Sequence, residues 1–173
     1  FIYGKNLTRK VAEEINKNKI VGIFQGKMEF GPRALGNRSI FVNAKNNKIN
    51  ITLNKKLGRT EFMPFAPITL EKQAKRMYLN FKKGKLTSKF MTITYKCSDI
   101  MKRLSPATVH VDGTARPQII NKKVNPKIYK LLNEYYNLSK IPNLINTSFN
   151  MHEEPIVCSP EDAIKSFLRS NID

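Results

Sequence analysis

The stretch that most constrains the fold is a loop of fourteen residues, Gln25 to Arg38, with the sequence QGKMEFGPRALGNR. It contains three glycines, one proline, one lysine and two arginines, and short apolar runs flank it at 20–24 and 39–43. Short apolar runs bounded by turn residues are typical of buried strands. We therefore expect two strands joined by a long loop that combines accessible backbone with fixed positive charge.

The rest of the chain mixes helical and strand patterns without strict alternation. Helices are predicted at 8–18, 46–57, 71–80, 126–139 and 159–170, with a strand as the alternative at 46–57. Further strands are predicted at 63–70, 90–96, 108–113, 116–121, 142–150 and 154–159. The two prolines of 63–70 favour a sheet edge, and 81–89 is predicted to be a mobile basic loop. The 173 residues therefore predict a single α/β domain with a mixed, largely antiparallel twisted sheet flanked by helices.

The charge of the chain is strongly positive, at +18, but most of it comes from scattered lysines. Of the 31 basic residues, 23 are Lys and eight are Arg, and the Lys, Asn and Ile content is the bias that an AT-rich genome produces. A solvated Lys-rich surface therefore explains the charge as well as a nucleic-acid face does, and we expect no specific nucleic-acid partner. Arginine is the better residue for bidentate contacts with phosphate. Four of the eight arginines lie in Gly/Pro-rich motifs: Arg33, Arg38, Arg59 and Arg116.

Several protein classes are not indicated. No apolar run approaches 18 residues, so no membrane span is predicted. Cys97 and Cys158 are isolated thiols without a CxxC motif, which predicts neither a zinc site nor a disulfide framework and fits the reducing cytoplasm. No metal ligands are assigned. The chain starts abruptly and without Met, so we expect a piece of a longer protein.

The loop at 25–38 is the first candidate site. Its glycines allow backbone N–H groups to approach an anion, and Lys27, Arg33 and Arg38 add charged donors. The spacing matches neither a Walker A loop nor a GxGxxG fingerprint, so the sequence predicts another kind of anion cradle. The alternative is a structural turn with surface arginines.

The second candidate is KKLGRTEFMPFAP, residues 55–67, in which Lys55, Lys56 and Arg59 precede a stiff Pro-Phe-Ala-Pro segment. Two prolines fix two φ angles, so this segment has little freedom to lose when a ligand binds. The alternative is a charged helix end followed by an edge strand.

The third candidate is HVDGTARPQ, residues 110–118. His110 and Asp112 are two residues apart on a predicted strand and so share one face, and a turn at Gly113 directs Arg116 back towards them. One His and one Asp are too few for a metal site. The alternative is a structural histidine.

The fourth candidate is NTSFN, residues 146–150, at the end of a predicted strand. Asn146 and Ser148 share a face and, with Asn150, are assigned to binding an amide, a ribose or a phosphate. A polar turn is the alternative. We find no persuasive nucleophile and no paired catalytic carboxylates, so the residues suit phosphoryl or nucleotidyl chemistry that depends on preorganised donors.

Taken together, EFGPRALGNRSI, PFAP, HVDGTARPQ and NTSFNMHEEPIV resemble the C-terminal region of the carbamoyltransferase family, which includes nodulation-factor and antibiotic O-carbamoyltransferases. The resemblance covers about residue 20 to residue 173. It implies that residues 1–173 form a YrdC-like domain that binds ATP and carbamoyl phosphate, with Mg²⁺, and forms carbamoyl adenylate. It also implies a larger N-terminal domain of the actin-like ATPase type, which holds iron and passes the carbamoyl group to an acceptor hydroxyl.

By position, the resemblance makes Arg33, Arg38 and Arg116 phosphate ligands, and we assign these three as the catalytic residues. It makes Asn146 and Ser148 contacts for the nucleotide or the carbamoyl group.

The second candidate segment departs from the family pattern. Arg59 lies where the family has an Arg ahead of its RPFAP segment, but Met63 and Leu57 replace an Arg and a Lys. We expect Lys55 or Lys56 to substitute.

Two other functions compete with this enzyme. One is an RNA-binding YrdC-like module without catalytic activity, which needs Lys and Arg spread over a broad face. The other is a degenerate domain that stabilises its partner. Arginines that converge in one concave pocket would favour the enzyme.

Overall fold

The computed structural model describes residues 6–59 and 64–173, and seven strands lie in these ranges. They are β1 (Val21–Phe24), β2 (Arg38–Val42), β3 (Ala66–Leu70), β4 (Tyr95–Lys96), β5 (Thr114–Ala115), β6 (Gln118–Ile120) and β7 (Asn143–Ser148). Five of them form a sheet in the order β1-β2-β7-β3-β6, and β4 pairs with β5 separately. Every pairing is antiparallel except that of β3 with β6. The predicted mixed, largely antiparallel sheet is therefore confirmed.

In the same described ranges, six α-helices flank the sheets: α1 (Leu7–Asn16), α2 (Lys48–Lys56), α3 (Glu71–Met77), α4 (Asp99–Leu104), α5 (Pro126–Ser139) and α6 (Pro160–Ser170). Helix α6 starts with a capping box, because Ser159 Oγ accepts from the Asp162 N–H and the Asp162 carboxylate accepts from the Ser159 N–H. All five predicted helices form, and only α4 was not predicted. None of the helices described is long and apolar enough to cross a bilayer.

Successive side chains of the central strands enter cores on opposite faces of the sheet. On β2, Ile40 and Val42 pack in one core with α2 residues, whereas Phe41 packs in the other with α1 and α5. This alternation follows from the two-residue period of a strand. A third core joins α3, α4 and the small β4–β5 sheet. Both faces of the sheet are covered, so polar side chains are concentrated at the strand ends.

The expectation of an edge strand at 63–70 was wrong. Strand β3 lies inside the sheet, antiparallel to β7 and parallel to β6. The pairing with β6 begins at Ile68, one residue after Pro67, so the proline precedes the pairing that it would interrupt.

Three other predicted strands are absent or shortened in the described residues. The segment 108–113 forms the end of a short 3₁₀ helix, Pro106–Thr108, and a turn in which the Gly113 N–H donates to the His110 carbonyl over 2.9 Å. At 90–96 only the last two residues form a strand, and 154–159 has no strand pairing. Alternating apolar residues in these segments pack into local turns instead of a ladder, which periodicity alone does not distinguish.

Candidate anion-binding site

Three arginines that are far apart in sequence line one pocket at the end of β7. Arg33, Arg59 and Arg116 surround a cavity of about 120 Å³, which we call the arginine pocket. The other wall consists of Asn146, Thr147 and Ser148 from β7 and of the Pro64–Ala66 segment that leads into β3. The fold therefore brings together residues from all four candidate segments.

Arg33 is presented by the glycine-rich loop, which is held by its own side chains. The Glu29 carboxylate accepts hydrogen bonds from the backbone N–H groups of Leu35 and Asn37, over 2.6 and 2.7 Å. Gly36 has φ +117°, and a Cβ there would lie 2.9 Å from Ile128 Cγ1 of α5. Only glycine fits that close approach in this conformation. These two N–H groups serve the loop itself, and the loop contributes the guanidinium of Arg33 to the pocket.

Two buried amides fix this loop to the sheet. Asn146 Nδ2 donates to the Ala34 carbonyl over 3.1 Å and to Gln118 Oε1 over 2.7 Å. Gln118 Nε2 in turn donates to the Leu35 carbonyl over 2.7 Å. Asn146 Oδ1 is buried without a partner among the described residues. Asn146 therefore positions the loop and leaves one acceptor unused at the pocket wall.

Arg59 is held in place from two sides. Its Nη2 donates to Thr147 Oγ1 over 2.9 Å, and its guanidinium lies 5.2 Å from the centre of the Phe65 ring. Burial lowers the pKa of Arg59 from its ordinary value because the charged form is desolvated. The residues that follow, 60–63, are outside the described ranges, so the expectation for Met63 cannot be compared with the structure.

Arg116 carries charge that is not compensated within the pocket. Burial lowers its pKa, and the nearby charge of Arg33 lowers it further. No carboxylate belongs to the pocket's described lining, and in the described ranges none of the three arginines forms a salt bridge. Like charges held together at a partly buried site favour an anion between them, since the anion removes the repulsion.

A second cavity opens onto the arginine pocket and is largely apolar. This antechamber has a volume of about 410 Å³ and shares Pro32, Arg33, Met91 and Arg116 with the pocket. Its remaining walls include Phe30, which is fully exposed, and Phe90, which is 49% exposed. Exposed aromatic faces beside arginines suit the stacking of a planar ring whose charged end enters the pocket.

Arg38, predicted as a phosphate ligand, lies outside both cavities. Its Nη1 donates to the Gln25 and Asn37 carbonyls over 2.8 and 3.0 Å, and its Nη2 donates to the Gly26 carbonyl over 3.2 Å. The guanidinium also stacks 3.7 Å from the centre of the Phe24 ring, and the residue is only 4% exposed. In this arrangement Arg38 closes the base of the loop and has no face directed to a ligand in the pocket.

The remaining predicted site residues do not line the pocket or the antechamber, with the exception of Ser148. They are Lys27, Lys55, Lys56, His110, Asp112 and Asn150. Lys56 bonds to the Asn171 carbonyl, and His110 and Asp112 both bond to Thr114 within an exposed turn. The shared strand face expected for His110 and Asp112 is wrong, because 108–113 is not a strand. Asn150 stands behind the wall, where its Oδ1 accepts from Ser148 Oγ over 2.6 Å.

Comparison with known proteins identifies the family. The model of the family "Carbamoyltransferase C-terminus" matches residues 12–173. The chain belongs to the carbamoyltransferase C-terminal family. It is 40% identical over 171 residues to the uncharacterized protein MJ1058 of Methanocaldococcus jannaschii, covering 98% of this chain and 27% of that protein. It is 36% identical over 172 residues to the nodulation protein NolO of Bradyrhizobium diazoefficiens, covering 97% of this chain and 31% of NolO. The carbamoyltransferase domain thus spans about a third or less of these relatives.

The fold is also found in a solved structure of the full-length protein HypF in a phosphate- and nucleotide-bound form. The match has a TM-score of 0.68 and 19% identity, and it covers 98% of this chain and 20% of HypF. At this identity the match shows the fold alone, and that fold is YrdC-like, as the sequence predicted.

Several residues that build the site of this carbamoyltransferase domain were not predicted. Thr147 holds Arg59, Gln118 holds the loop, and Glu29 organises it. Thr147 and Gln118 lie within the motifs quoted above, but the sequence analysis selected the neighbouring residues Asn146, Ser148 and Arg116 as ligands. Glu29 was not predicted, because a carboxylate in a basic loop does not suggest an anion site. Its carboxylate instead accepts hydrogen bonds from backbone N–H groups of the glycine-rich loop.

The pocket fits phosphate groups better than it fits a metal ion of its own. The oxygens on its described wall belong to amides and hydroxyls, and no group of three or more His, Cys, Asp or Glu in the described ranges is placed to hold a metal. Mg²⁺ is held in proteins by carboxylates together with substrate phosphates. The lining therefore provides no Mg²⁺ site by itself, and the Mg²⁺ expected from the resemblance would have to arrive bound to a nucleotide.

Proposed function

We propose that this carbamoyltransferase domain binds ATP and carbamoyl phosphate and forms carbamoyl adenylate. The observation that carries the proposal is the convergence of Arg33, Arg59 and Arg116 on one pocket whose described lining contains no carboxylate. The two substrates together bring several negative charges into one place. Arginine fits them because its planar fork binds phosphate oxygens in pairs.

The two cavities divide the nucleotide between them. The phosphates occupy the arginine pocket, and the base stacks in the antechamber between the exposed rings of Phe30 and Phe90. Arg33 and Arg116 border both cavities, so they reach the phosphates next to the nucleoside. The phosphate- and nucleotide-bound state named for HypF supports a nucleotide site on this fold.

Formation of carbamoyl adenylate requires hydrogen-bond donors that stabilise the phosphates and does not require a side-chain nucleophile. Water releases phosphate from carbamoyl phosphate and leaves carbamate. A carbamate oxygen then forms a bond to the α-phosphorus of ATP, and the bond from that phosphorus to the bridging oxygen breaks, so pyrophosphate leaves. The guanidinium groups stabilise the charge on the leaving pyrophosphate. Mg²⁺ arriving with ATP would add to that stabilisation.

The final transfer needs a partner domain. Both relatives described above are more than three times as long as the matched segment, which supports an N-terminal domain in the same protein. That domain, of the actin-like ATPase type, would pass the carbamoyl group to a hydroxyl acceptor, and iron is expected only there. The residues of the present chain would serve the adenylate-forming step.

Calorimetry with ATP and Mg²⁺ tests the site. We expect binding by the wild-type domain at low salt and a loss of at least about thirtyfold in affinity for Arg116→Ala, because a partly buried charge-assisted contact is removed. Arg103→Ala is the matched control: Arg103 is exposed on α4, outside both cavities, and the charge change is the same. Absence of nucleotide binding by the folded wild-type domain would contradict the proposal.

A second assay tests the reaction. Release of pyrophosphate from ATP should require carbamoyl phosphate and should be lost in Arg116→Ala. The isolated domain should not carbamoylate a hydroxyl acceptor. Transfer by this domain alone would disprove the division of labour with a partner domain.

A further inference from the structure

A second basic cavity lies away from the arginine pocket, and most of its described lining residues are lysines. One part, of about 740 Å³, includes Lys72, Lys85, Lys89, Lys122 and Lys123. The adjoining part, of about 440 Å³, shares Lys72 and Lys85 and adds Lys75 and Lys82. We call the two parts together the lysine trench. It therefore contains seven of the chain's 23 lysines on one concave surface.

The charge in the trench is mostly uncompensated. Glu71 is the single carboxylate in its described lining, and it is bound to Lys85 Nζ over 2.9 Å and to Asn121 Nδ2 over 2.9 Å. Among the residues described, the other six lysines form no salt bridge. A concave surface that carries one sign of charge concentrates its field and attracts counter-ions of the opposite sign.

The trench is separate from the proposed active site. No lining residue is shared between the trench and the arginine pocket or the antechamber. One short 3₁₀ helix, Thr87–Phe90, contributes to both sites: Lys89 lines the trench and Phe90 lines the antechamber. A ligand in the trench therefore does not have to be a substrate of the adenylate-forming step.

We propose that the lysine trench binds a flexible chain of phosphate groups without recognising a base sequence. The lysines stand on different walls, from α3, from the 82–89 segment and from the 122–123 turn, so they can contact a thin chain from several sides. A lysine ammonium is a mobile point charge with three donors, which suits repeated phosphates better than a fixed bidentate contact. A folded partner with a convex surface would not enter the trench.

Two sources share this chemistry: the phosphodiester backbone of single-stranded RNA and the phosphoanhydride chain of inorganic polyphosphate. An acidic peptide is the alternative occupant, and an oligoglutamate probe distinguishes it from the phosphate chains.

The test compares three variants, of which the first two lose the same number of positive charges. The trench variant combines Lys82→Gln, Lys89→Gln and Lys123→Gln, since the described structure gives these side chains no hydrogen bond or ion pair. The control variant combines Lys10→Gln, Lys48→Gln and Lys96→Gln, which lie outside both parts of the trench. The third protein combines Arg33→Ala and Arg116→Ala and so retains the trench.

Binding is measured with inorganic tripolyphosphate by calorimetry and with a labelled oligouridylate of about ten nucleotides by anisotropy. We expect the trench variant to lose at least about tenfold in affinity for a bound probe and the control variant less than about threefold. The arginine variant should still bind. If only oligouridylate binds, the ligand is single-stranded RNA. If only tripolyphosphate binds, the ligand is inorganic polyphosphate.

Four results would overturn the proposal. In the first, the wild-type protein binds neither probe. In the second, the trench and control variants lose affinity equally, which would mean that overall charge is responsible. In the third, the arginine variant loses all binding, which would assign the binding to the arginine pocket. In the fourth, an oligoglutamate of matched charge binds as tightly as the phosphates.

Discussion

The arginine pocket and the lysine trench both concentrate positive charge, but they differ in how the charge is held. All three arginines border one small cavity, Arg59 and Arg116 are partly buried while Arg33 is exposed, and Arg59 is fixed by Thr147 and the Phe65 ring. The trench lysines are mostly exposed, and most have no fixed partner in the described structure. Fixed, desolvated donors suit a ligand that must react in one geometry, whereas mobile charges suit a ligand that is only held.

This difference shows why the net charge of +18 does not by itself indicate a function. Most of the charge is lysine, whereas the reactive pocket uses three arginines. What separates the two sites is burial and hydrogen bonding, which depend on the fold. The four predictions that follow test this contrast.

The largest effect is expected at Arg38, which separates a structural arginine from the ligand arginines. Arg38→Ala removes three bonds to carbonyls and the stacking on Phe24, and it leaves the carbonyls of Gln25 and Gly26 without this donor. We expect the free energy of unfolding to fall by about 3 kcal/mol, measured by urea denaturation. Arg103→Ala, on the exposed face of α4, should cost less than about 0.5 kcal/mol.

The competing hypothesis for Arg38 predicts the opposite result. If Arg38 were a phosphate ligand, as its position in the motif suggests, Arg38→Ala would leave stability nearly unchanged and abolish ATP binding. That outcome would mean that the loop reorganises when the nucleotide binds.

The sequence could predict which segments meet but not which atoms face the ligand. Arg33, Arg59, Arg116, Asn146 and Ser148 all line the pocket, and each was chosen from a motif of glycines, prolines and polar residues. Arg38 belongs to the same motif and was assigned the same role. Its orientation depends on the pairing of Phe24 with Arg38 across β1 and β2, and register is a tertiary property that a linear motif does not contain.

The fold was predictable in the same way: local features located the helices, but strand positions in the sheet could not be predicted. Capping residues such as Ser159 and Pro160 located the helices well, because caps act within a few residues. The strand predictions at 63–70 and 108–113 failed in position or in type, because an apolar alternating run fits an edge strand, an inner strand or a packed turn equally well. The lysine trench was not predicted, because its lysines come from three separate segments.

The next effect in size is the salt dependence, which should differ between the two sites. Raising salt from about 50 mM to about 200 mM should weaken the trench's binding of oligouridylate at least tenfold, because several exposed charges release counter-ions. ATP binding in the arginine pocket should weaken by less than about threefold, because partly buried pairs are screened less. Parallel titrations on the wild-type protein measure both. Equal slopes would mean that the pocket is as open to solvent as the trench.

A smaller effect is expected at Thr147, which tests whether fixing Arg59 matters for the ligand. Thr147→Val keeps the shape but removes the hydroxyl that accepts from Arg59 Nη2, so the guanidinium gains freedom. We expect ATP affinity to fall about fivefold, or about 1 kcal/mol, which is the value of an ordinary hydrogen bond, because the Thr147 hydroxyl acts on the ligand only through Arg59. Thr147→Ser retains the hydroxyl and should bind within about twofold of the wild type. A loss of affinity in Thr147→Ser with none in Thr147→Val would show that the methyl group, not the hydrogen bond, is responsible.

The smallest effect is expected at Glu71, the one carboxylate in the described lining of the trench. Its hydrogen bonds to Lys85 and Asn121 lower the pKa of Glu71. A carboxylate with a lowered folded-state pKa stabilises the fold above the unfolded pKa of about 4.3, and this contribution is lost as the pH falls through the folded pKa. Glu71→Gln should therefore cost less than about 1 kcal/mol at pH 7, since Lys85 is 60% exposed, and the difference in stability from wild type should vanish once the pH lies below the folded-state pKa of Glu71.

The same substitution should act in opposite directions on stability and on binding. Removing the carboxylate frees Lys85 for a ligand, so tripolyphosphate affinity at pH 7 should rise about two- to threefold, while ATP affinity in the arginine pocket should not change. Urea denaturation across pH and calorimetry with both ligands measure the two effects. Weaker binding of tripolyphosphate by Glu71→Gln would contradict this prediction. It would mean that Glu71 orients Lys85 towards the ligand instead of competing with the ligand for Lys85. The trench would then use fixed donors, as the arginine pocket does.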